Sequence, residues 1–149
     1  MTDDFRDILV AFTRSGVEYL VVGAHALAAH GVPRVTGDLD LWVRASADNA
    51  HRVWIALGAF GAPLADLNVR EKDFTIPDIV VQFGLPPFRI DVMTSISGVA
   101  WDDAWSERLD GQLFGVSVAF LGRESFVRNK LASGRPKDVR DVRSLEGKD

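Results

Sequence analysis

The sequence predicts an α/β protein of the α+β kind, with a mixed β-sheet flanked by helices. Two patterns predict it. Short β-branched and aromatic runs alternate with segments whose apolar residues recur at helical spacing, and a strand–turn–strand unit interrupts that alternation near the middle. Phe5, Ile8, Leu9 and Phe12 mark one face of a first helix over residues 3–15, stopped by Gly16. Residues 17–22 read as a buried strand ending at Gly23. An alanine-rich helix follows from Ala24 to His30, closed by Gly31 and Pro33. Leu39, Leu41 and Val43 alternate with Asp38, Asp40 and Trp42, the period of a strand with two chemically different faces. Ser46 is placed to cap a helix running to about Phe60. Residues 61–77 read as loop with room for one short helix. Residues 79–83 and 88–93 form a hairpin around Gly84-Leu85-Pro86-Pro87. A short helix at 101–108 and a strand at 116–120 come next. Two helices, 123–133 and 136–146, divided by Gly134 and Pro136, complete the chain.

At 149 residues the chain has the length of one domain, and residues 1–149 are read as one. The absence of cysteine excludes a disulfide framework, a thiolate zinc site and a cysteine nucleophile. Met1-Thr2-Asp3-Asp4 is acidic where a secretory leader needs a basic start. No apolar run approaches the ~20 residues that span a bilayer, so the expectation is a soluble, cytoplasmic protein without a membrane partner. A net charge of −4 argues against a dedicated duplex-DNA binder, but the charge is uneven. Residues 122–149 carry eight basic side chains against five acidic ones, a balance of +3 that leaves −7 on residues 1–121.

The chemistry concentrates in Asp38-Leu39-Asp40. Positions two apart on a strand share a face, so both carboxylates project together while Leu39 and Leu41 enter the core. Two such charges repel unless a cation lies between them, and an oxygen-only donor set favours Mg²⁺ or Mn²⁺ over zinc. The plainer alternative is a strand edge exposing two aspartates. Asp91 adds a third carboxylate inside the apolar strand Arg89-Ile90-Asp91-Val92-Met93, where an unpartnered charge is costly. If that strand lies beside the Asp38 strand, three carboxylates converge and are enough for two metal ions, an arrangement suited to in-line displacement at phosphorus. The alternative for Asp91 is an exposed hairpin end. Upstream, Val22-Gly23-Ala24-His25 runs from strand to helix through a glycine, a turn whose backbone N–H groups meet a phosphate closely.

Gly23-Ala24, thirteen intervening residues and Asp38-Leu39-Asp40-Leu41 resemble the signature of the nucleotidyltransferase superfamily that includes DNA polymerase β, with Asp91 matching its third carboxylate. The resemblance extends to small bacterial nucleotidyltransferase-like proteins related to abortive-infection (AbiE-type) toxins. It is carried there by Pro33-Arg34-Val35-Thr36-Gly37, Phe83-Gly84, Arg89-Ile90-Asp91-Val92, Lys130 and Gly134-Arg135-Pro136-Lys137-Asp138. Ala24 stands where the signature has a second Gly or Ser, which removes a hydroxyl but keeps the small size and the backbone N–H. The resemblance implies a minimal nucleotidyltransferase fold and Mg²⁺-dependent transfer of a nucleoside monophosphate from a nucleoside triphosphate to an acceptor hydroxyl. It implies Asp38, Asp40 and Asp91 as metal ligands and catalytic residues, with Asp91 receiving the proton. A tRNA, a protein or a small molecule would be the acceptor, and an antitoxin or a second copy a partner. The competing class is a non-catalytic module of the same fold that binds a nucleotide or a protein. A phosphohydrolase or a D-x-D glycosyltransferase lacks the surrounding motifs.

Gly23, Ala24, Arg34, Thr36 and Lys130 complete the nucleotide-binding candidates. Lys130 adjoins an apolar helical face of Phe126, Val127 and Leu131, a placement that suits either reach to a triphosphate or a snorkelling surface lysine. Arg34 and Thr36 flank the Asp38 strand, where Arg34 reads either as a phosphate or acceptor contact or as surface loop. Lys137, Asp138 and Asp141 read as a solvated helix start, with the acids pairing to Arg135 or Arg140. His25 and His30, five apart, point to different helix faces and read as packing rather than zinc ligands. The four tryptophans read as packing, with Trp42 on the aspartate face beside a base pocket as the alternative.

Overall fold

In the computed structural model, which describes residues 3–85 and 87–147, the first apolar stripe becomes α1 (Asp3–Arg14) with Phe5, Ile8, Leu9 and Phe12 buried. Asp3 and Asp4 lie in its first turn and Arg14 in its last, each at the dipole end that suits its charge. β1 (Tyr19–Val22), α2 (Gly23–Ala29), β2 (Asp38–Val43) and α3 (Ala47–Phe60) follow in the expected order. The Ser46 hydroxyl accepts the Asn49 N–H at 3.3 Å, the expected cap. A 3-10 turn over Glu71–Thr75 is the helical piece of the 61–77 loop. β3 (Val80–Phe83) and β4 (Arg89–Met93) pair antiparallel as the hairpin. Pro86 of its turn, like Lys148 of the basic C-terminal stretch, lies outside the described residues. The order closes with α4 (Trp101–Ser106), β5 (Leu109–Leu113), β6 (Val116–Phe120), α5 (Arg123–Ser133) and α6 (Pro136–Leu145).

The six strands form one mixed sheet in the order β3-β4-β2-β1-β6-β5. β2 runs parallel to β4 and β1 parallel to β6, while the other neighbours are antiparallel. Each face has its own chemistry. Leu39, Leu41 and Val21 are fully buried towards α1 and α3, where Phe12 meets Tyr19 edge-on at 5.3 Å and Phe60 tilts against Phe83 at 6.0 Å. Asp38, Asp40 and Trp42 project from the opposite face, where Trp42 meets Trp101 of α4 at 5.0 Å.

Within the sheet and its helices the structure differs from the sequence reading at β5 and Leu131, and adds a buried Asn49. β5 is a strand where none is expected, because Leu109-Asp110-Gly111-Gln112-Leu113 lacks the apolar alternation of its neighbours. It forms because β6 offers it a complete antiparallel ladder, from Leu109 opposite Phe120 to Leu113 opposite Val116. Gly111 leaves room for the Phe120 ring, since a Cβ there would stand 3.0 Å from it. Leu131, read as part of the inward face of its helix, is 56% exposed instead. Asn49 carries no obvious signal, yet it is buried and staples three segments. Its Oδ1 accepts the Glu18 N–H at 2.7 Å, and its Nδ2 donates to the Glu18 and Arg44 carbonyls at 3.0 Å each.

Candidate active site

The parallel pairing of β2 with β4 places Asp40 directly opposite Asp91. Adjacent strands lie about 4.8 Å apart, so these carboxylates are immediate neighbours, with Asp38 two residues along the same face of β2. β4 lies between β3 and β2, so Asp91 is inside the sheet and not at an exposed hairpin end. Gln82, opposite Asp91 on β3, donates its Nε2 to Asp91 Oδ1 at 2.9 Å. Asp40 bears the electrostatic consequence. Burial, the charges of Asp91 and Asp38 and a hydrogen bond shared with Asp91 push its carboxyl up to about 7, with Lys130 pulling the other way.

Gly23 meets two demands at once. Its φ is +68°, a left-handed conformation that side chains rarely adopt, and a Cβ on it would stand 2.2 Å from Asp40 Oδ2. The glycine that turns β1 into α2 is therefore also the one that admits the Asp40 carboxylate, since Val22 pairs with Asp40 across the strands. Ala24 follows it at the start of α2 and lines the same cleft.

Two connected hollows share Gly23, Asp40, Lys130 and Arg135. One, of about 440 Å³, extends over Met93, Ser95 and Asn129. The other, of about 210 Å³, extends over Ala24, Arg34, Thr36, Asp38 and Lys137. Lys130 is no snorkelling surface residue: its side chain is 15% exposed, with Nζ 3.7 Å from Asp138 Oδ1 and 5.4 Å from the Phe126 ring centre. Arg34 is anchored rather than loose, donating Nη2 to Asp141 Oδ1 at 3.0 Å. The Thr36 hydroxyl accepts the Asp38 N–H at 3.0 Å and so fixes the entry into β2. The structure thus gathers Asp38, Asp40, Gly23, Ala24, Arg34, Thr36 and Lys130 around one cleft, while Asp91, opposite Asp40 on β4, stands next to that cleft without lining either hollow.

The start of α6 differs from the expectation of a solvated helix end. Asp138 is 1% exposed and Asp141 7%, because α6 folds back on α5 and turns the face carrying Asp138, Asp141 and Val142 inward. Asp138 pairs with Arg135 at 2.7 Å as expected, but Asp141 pairs with Arg34 and not with Arg135 or Arg140. Burial pushes the Asp138 carboxyl up; hydrogen bonds from Arg135 and Ser133, with the charges of Lys130 and Arg135, outweigh it and hold the group below the usual carboxylate range. Gln82 and Ser133 are not among the sequence candidates, and Arg135 enters there as part of the Gly134-Arg135-Pro136-Lys137-Asp138 stretch and as an ion-pair partner, not as a residue of the cleft. The one available signal was Gln82 at the polar position of an otherwise apolar strand.

The histidines pack, as expected. His30 Nε2 lies 2.8 Å from the Leu121 carbonyl, and the His25 ring stands edge-on to Phe5 and Phe114. Burial lowers the His25 imidazole pKa, against the opposing pull of the Asp38 carbonyl. Trp42 is buried against Trp101 and lines neither hollow, which leaves it in the core.

No protein-family model and no curated protein matches the chain. Among solved structures it is similar to TM1012 of Thermotoga maritima, a protein provisionally described as a nucleotidyltransferase. The TM-score is 0.63 at 16% sequence identity, over 97% of this chain and 91% of that one. At that identity the likeness establishes the fold: a six-stranded mixed sheet flanked by helices, similar to that of a provisionally described nucleotidyltransferase.

Proposed function

We propose that the chain is a divalent-cation-dependent nucleotidyltransferase: an acceptor hydroxyl attacks the α-phosphorus of a nucleoside triphosphate, the bond to the β-phosphate breaks, pyrophosphate leaves, and the nucleoside monophosphate stays on the acceptor. The observation that carries this reading is the register of Asp40 on Asp91, two neighbouring carboxylates, with Lys130 lining the same hollow as Asp40. Repelling acids that leave Asp40 half-protonated near neutrality are a liability in a pure structural role. Oxygen donors of this kind fit Mg²⁺ or Mn²⁺. Among the described residues no three His, Cys, Asp or Glu side chains already form a closed metal cluster. Asp40 and Asp91 would therefore be the primary pair, with the exposed Asp38 turning to join them. When bound, the cation supplies charge neutralisation at the phosphates and a lowered pKa for the acceptor hydroxyl.

The chain's own residues do the rest. The Gly23–Ala24 turn brings backbone N–H groups to the phosphates, while Lys130, Arg34 and Arg135 supply positive charge around the smaller hollow. The larger hollow takes the nucleoside or the acceptor. Asp91, fixed by Gln82, receives the proton of the attacking hydroxyl. TM1012's provisional description and the sequence motif point to the same chemistry.

The test is incubation with α-labelled nucleoside triphosphates, Mg²⁺ and cell-derived RNA, protein or small-molecule extract. Label transferred to one fraction by the wild type and lost in Asp91→Asn supports transfer. Tight triphosphate binding without transfer to any fraction would favour the binding module instead. The finer reading, the toxin of a toxin–antitoxin pair, rests on the sequence resemblance alone and is tested by growth arrest on expression, relieved by Asp40→Asn.

A further inference from the structure

α6 contributes two buried acids, Asp138 and Asp141, one turn apart on its inner face, 1% and 7% exposed. Each holds cations that come from a different part of the chain and line the same hollow. Asp138 takes Arg135 Nε at 2.7 Å and Lys130 Nζ at 3.7 Å, and also the Ser133 hydroxyl. Asp141 takes Arg34 Nη2 at 3.0 Å, with the Ser144 hydroxyl accepting from the same nitrogen at 3.4 Å. Among the described residues these bonds leave donors over: Arg34 uses Nη2, and Arg135 uses Nε and Nη2. The remaining N–H groups are available to a ligand in the hollow of about 210 Å³ that Arg34, Lys130 and Arg135 share with Gly23 and Asp40.

We infer that α6 is a positioning element: Asp138 and Asp141 fix Lys130, Arg135 and Arg34, drawn from α5, the entry to α6 and the loop before β2, as a preformed cradle for a polyphosphate. This rests on the nucleotidyltransferase reading and extends it. Two buried carboxylates offset the charge of three cations in the empty cleft, so the cations neither repel one another nor lose rotamer freedom when the anion arrives. Asp138 and Asp141 touch no phosphate themselves; they act through the side chains they hold. Asp141 links α6 to the loop before β2, and Asp138 links it to α5 and to its own entry turn. One helix thereby sets the spacing between cations from separate segments that line the same hollow.

The experiment is titration calorimetry of the full chain with inorganic tripolyphosphate and with a non-hydrolysable nucleoside triphosphate, both with Mg²⁺. Asp141→Asn is expected to weaken both about 10- to 100-fold while the thermal transition persists. In an Arg34→Ala background the same substitution is expected to add almost nothing, since its partner is gone. Asp138→Asn with Lys130→Ala repeats the cycle; if Asp138→Asn fails to fold, the Asp141 cycle still decides. The Arg135 Nε–H signal in nitrogen-edited NMR should be slow to exchange in the wild type and lose that protection in Asp138→Asn. Wild-type binding that survives Asp141→Asn unchanged, or additive losses in the Arg34 cycle, would overturn the inference and leave the nucleotidyltransferase reading standing. A wild type that binds no triphosphate would overturn both.

Discussion

The two faces of β2 share six residues and follow opposite rules. Leu39 and Leu41 are fully buried against α1 and α3, in a cluster that contains most of the large side chains of the core. Asp38 and Asp40 project from the same six residues into a cleft where Asp40 and Asp91 repel. The first face stabilises and the second is strained by its own charges. A strand that serves packing alone has no reason to place Asp40 where neighbouring acids raise its pKa. The fold needs the first face and the cleft needs the second, so substitutions on the two should behave as opposites.

The largest expected effects come from crossing the two faces. Asp91→Asn and Asp40→Asn should each lower nucleotidyl transfer about 1,000-fold or more, with the fold retained by circular dichroism. Leu41→Ala should instead destabilise by about 2–5 kcal/mol in urea unfolding, since it opens a cavity in a fully buried layer. A stability loss in Asp40→Asn as large as that in Leu41→Ala would break the comparison. Gly23→Ala joins the two faces' penalties. Its positive φ and the clash with Asp40 Oδ2 should cost about 1–3 kcal/mol of stability and displace the carboxylate, so activity should fall as well.

The pH dependence sharpens the same contrast with a smaller effect. Asp40 keeps its proton in the folded chain up to about 7 but loses it near 3.8 when unfolded. Its contribution to stability is therefore fully present below 3.8, declines as pH rises towards 7, and is flat above that. Asp138, held low by its partners, works in the opposite sense and at lower pH: its contribution is present above its unfolded pKa and lost on acidification. The melting temperature of the metal-free wild type, relative to Asp40→Asn, should fall between pH 4 and 7. Mn²⁺ at pH 8 should recover much of that difference. The smallest effect belongs to Gln82→Ala, which frees the Asp91 side chain at a half-exposed site. It should change stability by less than about 1 kcal/mol and activity by roughly 10-fold.

The alternation in residues 38–43 and 89–93 was enough to place the carboxylates on one face of each strand, because a two-residue period is fixed by the backbone. Which strands are neighbours was not legible locally: the parallel pairing of β2 with β4 depends on α3 and the intervening loop bringing the chain back. β5 escaped notice because its pairing edge, not its composition, makes it a strand. The inward face of α6 escaped for a related reason. Asp138 and Asp141 look solvated in sequence, and only the packing of α6 on α5 and the return of Arg34 from more than a hundred residues away bury them.

The most direct measurement is Mn²⁺-dependent binding of a non-hydrolysable nucleoside triphosphate, compared between the wild type and Asp91→Asn by calorimetry. If Asp40 and Asp91 share a cation with the triphosphate, the wild type binds it only with the metal, and Asp91→Asn weakens that binding about 10-fold or more. Equal, metal-independent binding by both proteins would contradict the account.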